Sequence, residues 1–441
     1  MFKQETKATL ERACLYSLPL AMVYATMQKS TNAAQAGERN APVNQLFHHN
    51  KLADSNSKLV VTPNVDTVYS QAFLDLSREA ALVLEKPKTD RYYAIQVMNA
   101  YSDTIAVLGT GNDGQGKQAY LFTREGYKGD VPKGVKRVTV NTDLIWVVAR
   151  IVCDGERDLR NVSALQKSTR LLPLKNYVSG KNYAPEAGQY DKRKDFVPVN
   201  HVMQMSAKAF FDQINRLMVG NPPQKQDEEI TKVLAAVNVG AGKTFDPSVL
   251  GEDPEGAWDD IKKAADKNAI AETARFNTRN GIWSYFDKPI GDFGTEYGYR
   301  GLVALRGLGA NPVEAAIYAK TSADSTGAAL SGKNAYKIHF EPNALPPVEK
   351  YGFWSITVYG QDDFLIPNKE NKYAITDRTP FVKNADGSVD LYVSKELPVG
   401  VDKANWLPVS DNAFHLFLRI YLPAKEVRNG TWNTPAIELA N

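Results

Sequence analysis

IWVVARIV, at residues 145–152, is almost continuously apolar over its first five positions and contains one charged residue, Arg150. Short apolar runs rich in β-branched residues are typical of a strand in the middle of a buried sheet. The stretch therefore predicts a central β-strand. It also points to possible chemistry, because an arginine inside an apolar strand needs a partner for its charge.

The same pattern occurs again late in the chain. Leu418-Arg419-Ile420-Tyr421 resembles Ala149-Arg150-Ile151-Val152, with an offset of 419 − 150 = 269 residues. Trp354-Ser355-Ile356-Thr357-Val358 has the same order of residue types as Tyr93-Ala94-Ile95-Gln96-Val97, with an offset of 354 − 93 = 261. Two similar offsets in the same order predict two related β domains. The alternative is that two β-rich regions share such short patterns by chance.

Patterns elsewhere complete the predicted architecture. Helical spacing occurs over residues 4–29 and through most of the middle third, including Pro312–Ala319. Short strands with turn residues between them occupy residues 59–153 and the chain after Tyr336. We predict an α+β fold with two antiparallel jelly-roll-like β-sandwich domains and helices packed on and between them. The predicted domains are an N-terminal helix plus β-sandwich (1–195), a helical middle (196–335) and a C-terminal β-sandwich (336–441).

Composition excludes several classes of protein. The 441 residues include 53 basic and 50 acidic side chains, a balance that lacks the concentrated basic face of a nucleic-acid-binding protein. Cys14 and Cys153 are too few for a disulfide scaffold, and no apolar run reaches the roughly 18 residues of a membrane span. We expect a soluble protein, cytoplasmic as written, or periplasmic or exported if a leader was removed before Met1. Its oligomeric state stays open.

Two regions of the sequence have a family resemblance. Thr62-Pro63-Asn64-Val65-Asp66-Thr67-Val68-Tyr69-Ser70, followed by Phe73-Leu74-Asp75-Leu76, resembles the signature of domain of unknown function twelve-fifty-four. Residues 353–359, with Leu365-Ile366-Pro367-Asn368 and Asn405-Trp406-Leu407-Pro408, resemble its usual partner, domain of unknown function twelve-fourteen. The resemblance covers nearly the whole chain. It implies two β-rich jelly-roll-like domains and frequent export of members, and it implies no settled activity.

The densest polar cluster follows Pro63 and supplies the catalytic candidates Asp66, Tyr69 and Asn64. Asp66 and Tyr69 fall on opposite faces if the segment is extended. Asp66 is suited to general acid or base catalysis, with Asn64 near it and Tyr69 as a hydrogen-bond donor. The alternative is structural, because Asn and Asp after a proline commonly bond their own backbone and join a turn to the sheet.

Arginines and tyrosines supply the ligand-binding candidates. Arg150, and Arg419 at the equivalent place in the repeat, are suited to binding a substrate carboxylate with both oxygens, although pairing with a nearby aspartate is the alternative. The glycine-rich stretch 290–301 predicts a tyrosine-rich loop, where ligands are commonly bound. The predicted ligand-binding residues are Tyr297, Tyr299, Arg300, Trp354, Tyr318 and Arg150.

The sequence predicts no organic cofactor and no metal. None of the five histidines has the His-x-His or His-x-x-x-His spacing of a metal site, although ligands from distant parts of the chain stay an alternative. No Gly-x-Ser-x-Gly motif is present, so a serine hydrolase of that type is not predicted.

We therefore expect a protein that binds a small organic molecule between two β domains. Our hypothesis is a cofactor-independent hydrolase or lyase. The alternative is a non-catalytic protein that binds a carbohydrate or metabolite on aromatic side chains, and a structural or assembly protein is the third hypothesis. Convergence of carboxylates with aromatic side chains at one pocket favours the enzyme over the other two.

Overall fold

The computed structural model describes residues 4–58 and 61–440, in which β-strands at both ends of the chain flank a mainly helical middle. The strands are β1 Phe47–His48, β2 Thr67–Asp75, β3 Ala81–Lys86, β4 Tyr93–Asn99, β5 Thr104–Gly109, β6 Gln118–Arg124, β7 Val135–Val140, β8 Leu144–Val152, β9 Arg170–Pro173, β10 Asn277–Asn280, β11 Trp283–Phe286, β12 Ala316–Thr321, β13 Tyr336–Phe340, β14 Val348–Gly360, β15 Ala374–Thr376, β16 Val389–Ser394, β17 Trp406–Pro408, β18 Phe414–Pro423 and β19 Ile437–Leu439. The helices are α1 Gln4–Ser30, α2 Leu159–Ser168, α3 Leu174–Ser179, α4 Pro198–Met203, α5 Ala207–Gly220, α6 Glu228–Ala235, α7 Pro254–Thr273, α8 Tyr297–Arg306 and α9 Lys425–Arg428. Residues 59 and 60, which begin the predicted strand region, lie outside the described part.

Two sheets form an N-terminal module. Their strand orders are β1-β2-β8-β4-β5 and β7-β6-β3-β9. Apolar side chains from both sheets, such as Val68, Leu84, Ile95 and Ile151, meet in one core. Every residue of β8 is buried and the strand lies between β2 and β4, which confirms the central strand predicted from IWVVARIV.

The C-terminal module repeats this arrangement. Its sheets have the orders β10-β11-β12-β18-β14-β15 and β17-β16-β13-β19. Strands β12 to β19 therefore take the places of β2 to β9 one by one, as the predicted duplication requires. The jelly-roll topology stays a prediction, and the pairing is not wholly antiparallel: β6 pairs with β7, and β16 with β17, in parallel.

A helical layer covers one part of the outer face of the β2-β8-β4 sheet. Residues 13–23 of α1 are buried on every side, which is the pattern of a helix enclosed by other elements. Helices α5 and α7 join α1 in one cluster with Phe73, Met98 and Trp146 of the sheet. Across the described residues, no helix is both long and apolar enough to cross a membrane.

Two local predictions are wrong. The second half of Pro312–Ala319, predicted as a helix, belongs to β12, because pairing with the buried strand β18 outweighs the helix preference of its alanines. Residues 290–301, predicted as a loop, end in helix α8. Gly301 lies where a Cβ would be 2.9 Å from the backbone oxygen of Leu15, so this glycine permits close packing of α8 on α1.

The predicted division into three domains stays a prediction. The structure adds that β10, β11 and β12, at residues 277–321, belong to a sheet of the C-terminal module. The helices α4 to α8 pack with α1, and so residues far apart in the sequence share one helical core.

Candidate functional site

The two modules meet through the outer faces of their larger sheets. Tyr92 packs edge-on against Phe353 and Tyr421, with ring centroids 5.2 and 5.5 Å apart. Polar side chains surround this contact and form what we term the intermodule site, which consists of Asn64, Asp66, Tyr69, Tyr92, Arg150, Tyr318, Ser355, Arg378, Arg419 and Tyr421.

Equivalent strands place equivalent residues at this site. Tyr69 on β2 is the cross-strand partner of Arg150 on β8, and Tyr318 on β12 is the cross-strand partner of Arg419 on β18. Each module therefore contributes one tyrosine–arginine pair from matching positions. Arg150 and Arg419, which lie in similar sequence patterns, therefore occupy equivalent positions in the two modules.

Asn64 and Asp66 join the N-terminal module to the C-terminal one. The Oδ1 atom of Asn64 accepts hydrogen bonds from the backbone N–H groups of Asp66 at 2.7 Å and Thr67 at 3.2 Å, and its Nδ2 donates to the Tyr421 hydroxyl at 2.6 Å. Asp66 is 1% exposed, and its Oδ2 accepts from the Ser355 hydroxyl at 2.5 Å. Asn64 therefore bonds the backbone of its own turn, as predicted in the structural alternative. Asp66 is held by Ser355 of the opposite module.

Arg378 connects Asp66 to a second carboxylate. Its Nη2 lies 3.6 Å from Oδ1 of Asp66, while its Nη1 donates to Asp377 at 2.5 Å. The guanidinium also lies over the ring of Phe353, with its carbon 4.8 Å from the centroid. No sequence pattern points to Arg378, which lies between β15 and β16.

Arg419 holds the loop that leads to Asp66. Its Nη2 donates to the carbonyl oxygen of Thr62 at 3.0 Å and to the Tyr359 hydroxyl at 2.6 Å. That hydroxyl donates in turn to the carbonyl oxygen of Pro63 at 2.7 Å, and burial raises the pKa of Tyr359 to about 12. A strand residue of the C-terminal module therefore fixes the position of the catalytic candidates.

Several buried polar atoms of the intermodule site have no hydrogen-bond partner among the described residues. They are Oδ1 of Asp66, Oη of Tyr92, Nε of Arg378 and Nη1 of Arg419. Buried polar groups are nearly always paired, so a cluster of such atoms is unusual. Tyr69 and Tyr318 are only half-buried, although both belong to the intermodule site.

A surface cleft of about 490 Å³ borders the site. It is lined by Arg91, Val152, Asp154, Arg157, Asp158, Asn161 and Arg378. Arg91 forms a two-point ion pair with Asp158, and Arg157 pairs with Asp154. Arg378 therefore separates this cleft from the buried carboxylate of Asp66.

Asp377 titrates in an unusual range. Burial, together with the nearby charge of Asp66, raises its pKa from 3.8 to about 6, and Arg378 opposes the rise. The folded protein therefore holds this proton more tightly than the unfolded chain does. The resulting stability is present below pH 3.8 and is lost as the pH rises through about 6.

We expect Asp377→Asn to change the pH dependence of stability, because asparagine mimics the neutral carboxyl group. The free energy of unfolding of the variant minus that of the wild type should be about 1 kcal/mol larger at pH 7 than at pH 4. This value is reduced for solvent screening, because the side chain is partly exposed. Urea unfolding at both pH values measures the difference. An unchanged difference would contradict the raised pKa.

Two of the other predicted residues, Arg300 and Tyr297, lie in a separate cluster in the helical layer, in which Arg300 is fully buried and Tyr297 is partly buried. Arg300 donates from Nη1 to Oδ2 of Asp103 at 3.1 Å. Its guanidinium carbon lies 5.2 to 5.5 Å from the ring centroids of Tyr16, Tyr101 and Tyr297. Tyr16 and Tyr297 both donate to Asp227, at 2.9 and 3.1 Å.

Tyr299 and Trp354 lie outside the intermodule site. Tyr299 stacks on Phe276 at 4.8 Å and donates to the backbone oxygen of Asp287. Trp354 is in the core between the two sheets of the C-terminal module. In contrast, Asn64, Asp66, Tyr69, Arg150 and Tyr318 come together between the two β modules, and their roles in catalysis and ligand binding stay predictions.

Comparison with known proteins agrees with this two-module architecture. The family described as Protein of unknown function (DUF1254) matches residues 43–173, and the family described as Protein of unknown function (DUF1214) matches residues 315–425. The chain carries both modules, DUF1254 and DUF1214. The DUF1254 match contains Asn64, Asp66, Tyr69 and Arg150, whereas the DUF1214 match contains Tyr318 and the rest of the C-terminal contribution. The intermodule site therefore requires residues from both.

A solved structure shares the fold of the DUF1254–DUF1214 chain. The crystal structure of the VPA0106 protein from Vibrio parahaemolyticus is similar with a TM-score of 0.74 and 21% sequence identity, covering 99% of this chain and 100% of that one. An uncharacterized protein from Burkholderia cenocepacia has a TM-score of 0.41 and 12% identity, covering 96% of this chain and 87% of that one. No curated protein matches the sequence.

Proposed function

We propose that the chain binds a small organic molecule at the intermodule site, between its DUF1254 and DUF1214 modules. The observation that carries the proposal is the convergence, from both modules, of buried polar atoms without hydrogen-bond partners among the described residues. Such atoms are costly when left unpaired, and a ligand with matching polar groups relieves the cost. The accessible surface of Tyr69 and Tyr318 gives that ligand room beside them.

The arrangement supports a cofactor-independent hydrolase or lyase. Asp66 has one carboxylate oxygen held by Ser355, while the other has no hydrogen-bond partner among the described residues and so has capacity for a substrate proton. In this proposal the Tyr69 hydroxyl donates a hydrogen bond to the substrate, and Asn64 fixes the backbone at Asp66. The second candidate is a non-catalytic protein that binds a carbohydrate or metabolite, a function that the aromatic rings of Tyr92, Phe353 and Tyr421 favour.

A thermal-shift screen of neutral and charged metabolites and sugars, followed by calorimetry of the compounds that bind, tests the proposal. We expect Tyr318→Phe to weaken binding about five- to tenfold, because it removes the hydroxyl that accepts from Asn311 at 2.7 Å and faces the site. Tyr190→Phe, at a tyrosine that is 61% exposed, is the matched control and should not change binding. Equal affinity of both variants for every compound that binds would contradict an intermodule ligand.

Mass spectrometry of the same mixtures separates the two candidate functions. Conversion of a bound compound by the wild type supports the enzyme. Binding without product, with an affinity that does not change however long the compound is incubated with the wild type, supports the non-catalytic protein.

A further inference from the structure

Arg150 is a buried cation whose hydrogen-bond partners are all neutral. Its Nη1 donates to Gln96 at 2.7 Å and to Asn311 at 3.1 Å, and its Nη2 donates to the backbone oxygen of Gly309 at 3.0 Å. It forms no ion pair with any described carboxylate, whereas the fully buried Arg300 pairs with Asp103. An unpaired buried charge is costly, so this position favours an anion from outside the chain.

The guanidinium of Arg150 keeps donors for that anion. It has five N–H groups, and the three hydrogen bonds use both on Nη1 and one on Nη2. The remaining two N–H groups are on Nε and Nη2. Donors on two nitrogens of one guanidinium suit the two oxygens of a carboxylate. Arg150 is also 8% exposed, so it can be reached from the space between the modules.

The net charge of the intermodule site also favours an anionic ligand. The site has three guanidinium groups, those of Arg150, Arg378 and Arg419, and they face the carboxylate of Asp66 in the site and that of Asp377, which pairs with Arg378 beside it. The neighbouring charges pair with each other: Arg91 with Asp158, and Lys320 with Asp363. One positive charge is therefore left over, which a ligand with one negative charge would balance.

Aromatic rings supply a wall for the rest of the ligand. Phe353 and Tyr421 stack with centroids 4.4 Å apart, and Tyr92 packs edge-on against both. Tyr318 lies edge-on to Tyr421 at 5.9 Å. Flat apolar groups pack well against such rings.

We infer that the ligand of the intermodule site is a small organic carboxylate with one negative charge and an apolar body, and that Arg150 binds its carboxylate group. The inference rests on the proposed function, and it names the chemical class of the ligand and the residue that recognises it. The inference predicts that sugars and neutral metabolites are not the principal ligands.

Matched pairs of compounds test the inference. Benzoate, phenylacetate and cinnamate are each compared with the primary amide of the same acid, at equal concentration and ionic strength, by thermal shift and calorimetry on the full chain. We expect at least one acid to bind and its amide to bind at least tenfold more weakly. Arg150→Gln should remove the difference between acid and amide, while Arg160→Gln, at an exposed arginine, should leave it unchanged.

Arg150→Lys keeps the charge at position 150 and removes the planar guanidinium group. The variant should therefore fold and bind the acid about tenfold more weakly.

Amides that bind as tightly as acids would overturn the carboxylate inference and leave the proposed function intact. Acid binding that survives in Arg150→Gln would overturn the assignment of Arg150. No binding of any acid or amide, while neutral metabolites bind, would overturn the inference alone, and no binding of any compound would overturn the proposed function as well.

Discussion

Arg300→Met is expected to lower the free energy of unfolding by about 3–5 kcal/mol. The substitution removes the cation that balances Asp103 and leaves that carboxylate buried, with hydrogen bonds from Gln224 and the backbone of Phe293 but with no ion pair. Burial already raises the pKa of Asp103, and the charge of Arg300 opposes that rise. Loss of Arg300 also removes the cation over three tyrosine rings.

Urea unfolding followed by circular dichroism measures this loss. Arg306→Met is the matched control on the same helix, because Arg306 forms an exposed pair with Asp266 and should cost less than about 1 kcal/mol. The double variant Asp103→Asn with Arg300→Met should recover part of the stability, since it removes the unpaired carboxylate. Equal losses in Arg300→Met and Arg306→Met would show that the buried pair has no special role.

Asp66→Asn is expected to lower turnover of a substrate found at the intermodule site by about 10²–10⁴-fold, the usual contribution of a general acid or base. Asparagine keeps an oxygen that can accept from Ser355, so the contact between the modules should persist. The circular dichroism spectrum should match that of the wild type. Steady-state kinetics with product detection by mass spectrometry measures the effect.

Asp411→Asn, at an aspartate whose side chain is 59% exposed, is the control and should keep wild-type turnover. An Asp66→Asn variant that loses its fold would support the purely structural role for Asp66, with the carboxylate serving to hold the turn and Arg378 in place. A folded variant with wild-type turnover would exclude Asp66 as the acid or base.

The repeated tyrosine–arginine pairs explain why this fold places its site between the modules. In both sheets the central strand, β8 or β18, has one face in its own sandwich core. The other face meets the opposite module at Arg150 or Arg419, whereas Trp146 and Val148 of β8 lie under the helical layer. Arg150 and Arg419 lie on these second faces. Because the two β modules repeat one arrangement of strands, two equivalent polar pairs come together where the outer faces pack.

Local patterns predicted the part of the fold that depends on short-range physics. Strand β8, helix α1 and the turn at Asn64 each follow from apolar periodicity or from turn chemistry within about ten residues. The meeting of Asp66 with Ser355 was beyond such patterns, because those residues are 289 positions apart and join only through packing of the modules.

Both wrong elements are decided by packing against distant parts of the chain. The alanine-rich segment before Thr321 becomes a strand because β18 offers a buried partner, and Gly301 allows helix α8 to approach α1 closely. Arg300 was predicted as a ligand anchor because its surroundings looked like a loop. In the helix it points into a cluster that balances its charge with Asp103.

A crystal structure of the protein with an acid from the binding experiments tests the central claim most directly. We expect ligand density between Tyr69 and Tyr318, with its carboxylate at a hydrogen-bond distance of about 3 Å from Arg150. Density confined to the separate surface groove of about 460 Å³ lined by residues such as Leu46, Arg170 and Tyr177 would contradict an intermodule site.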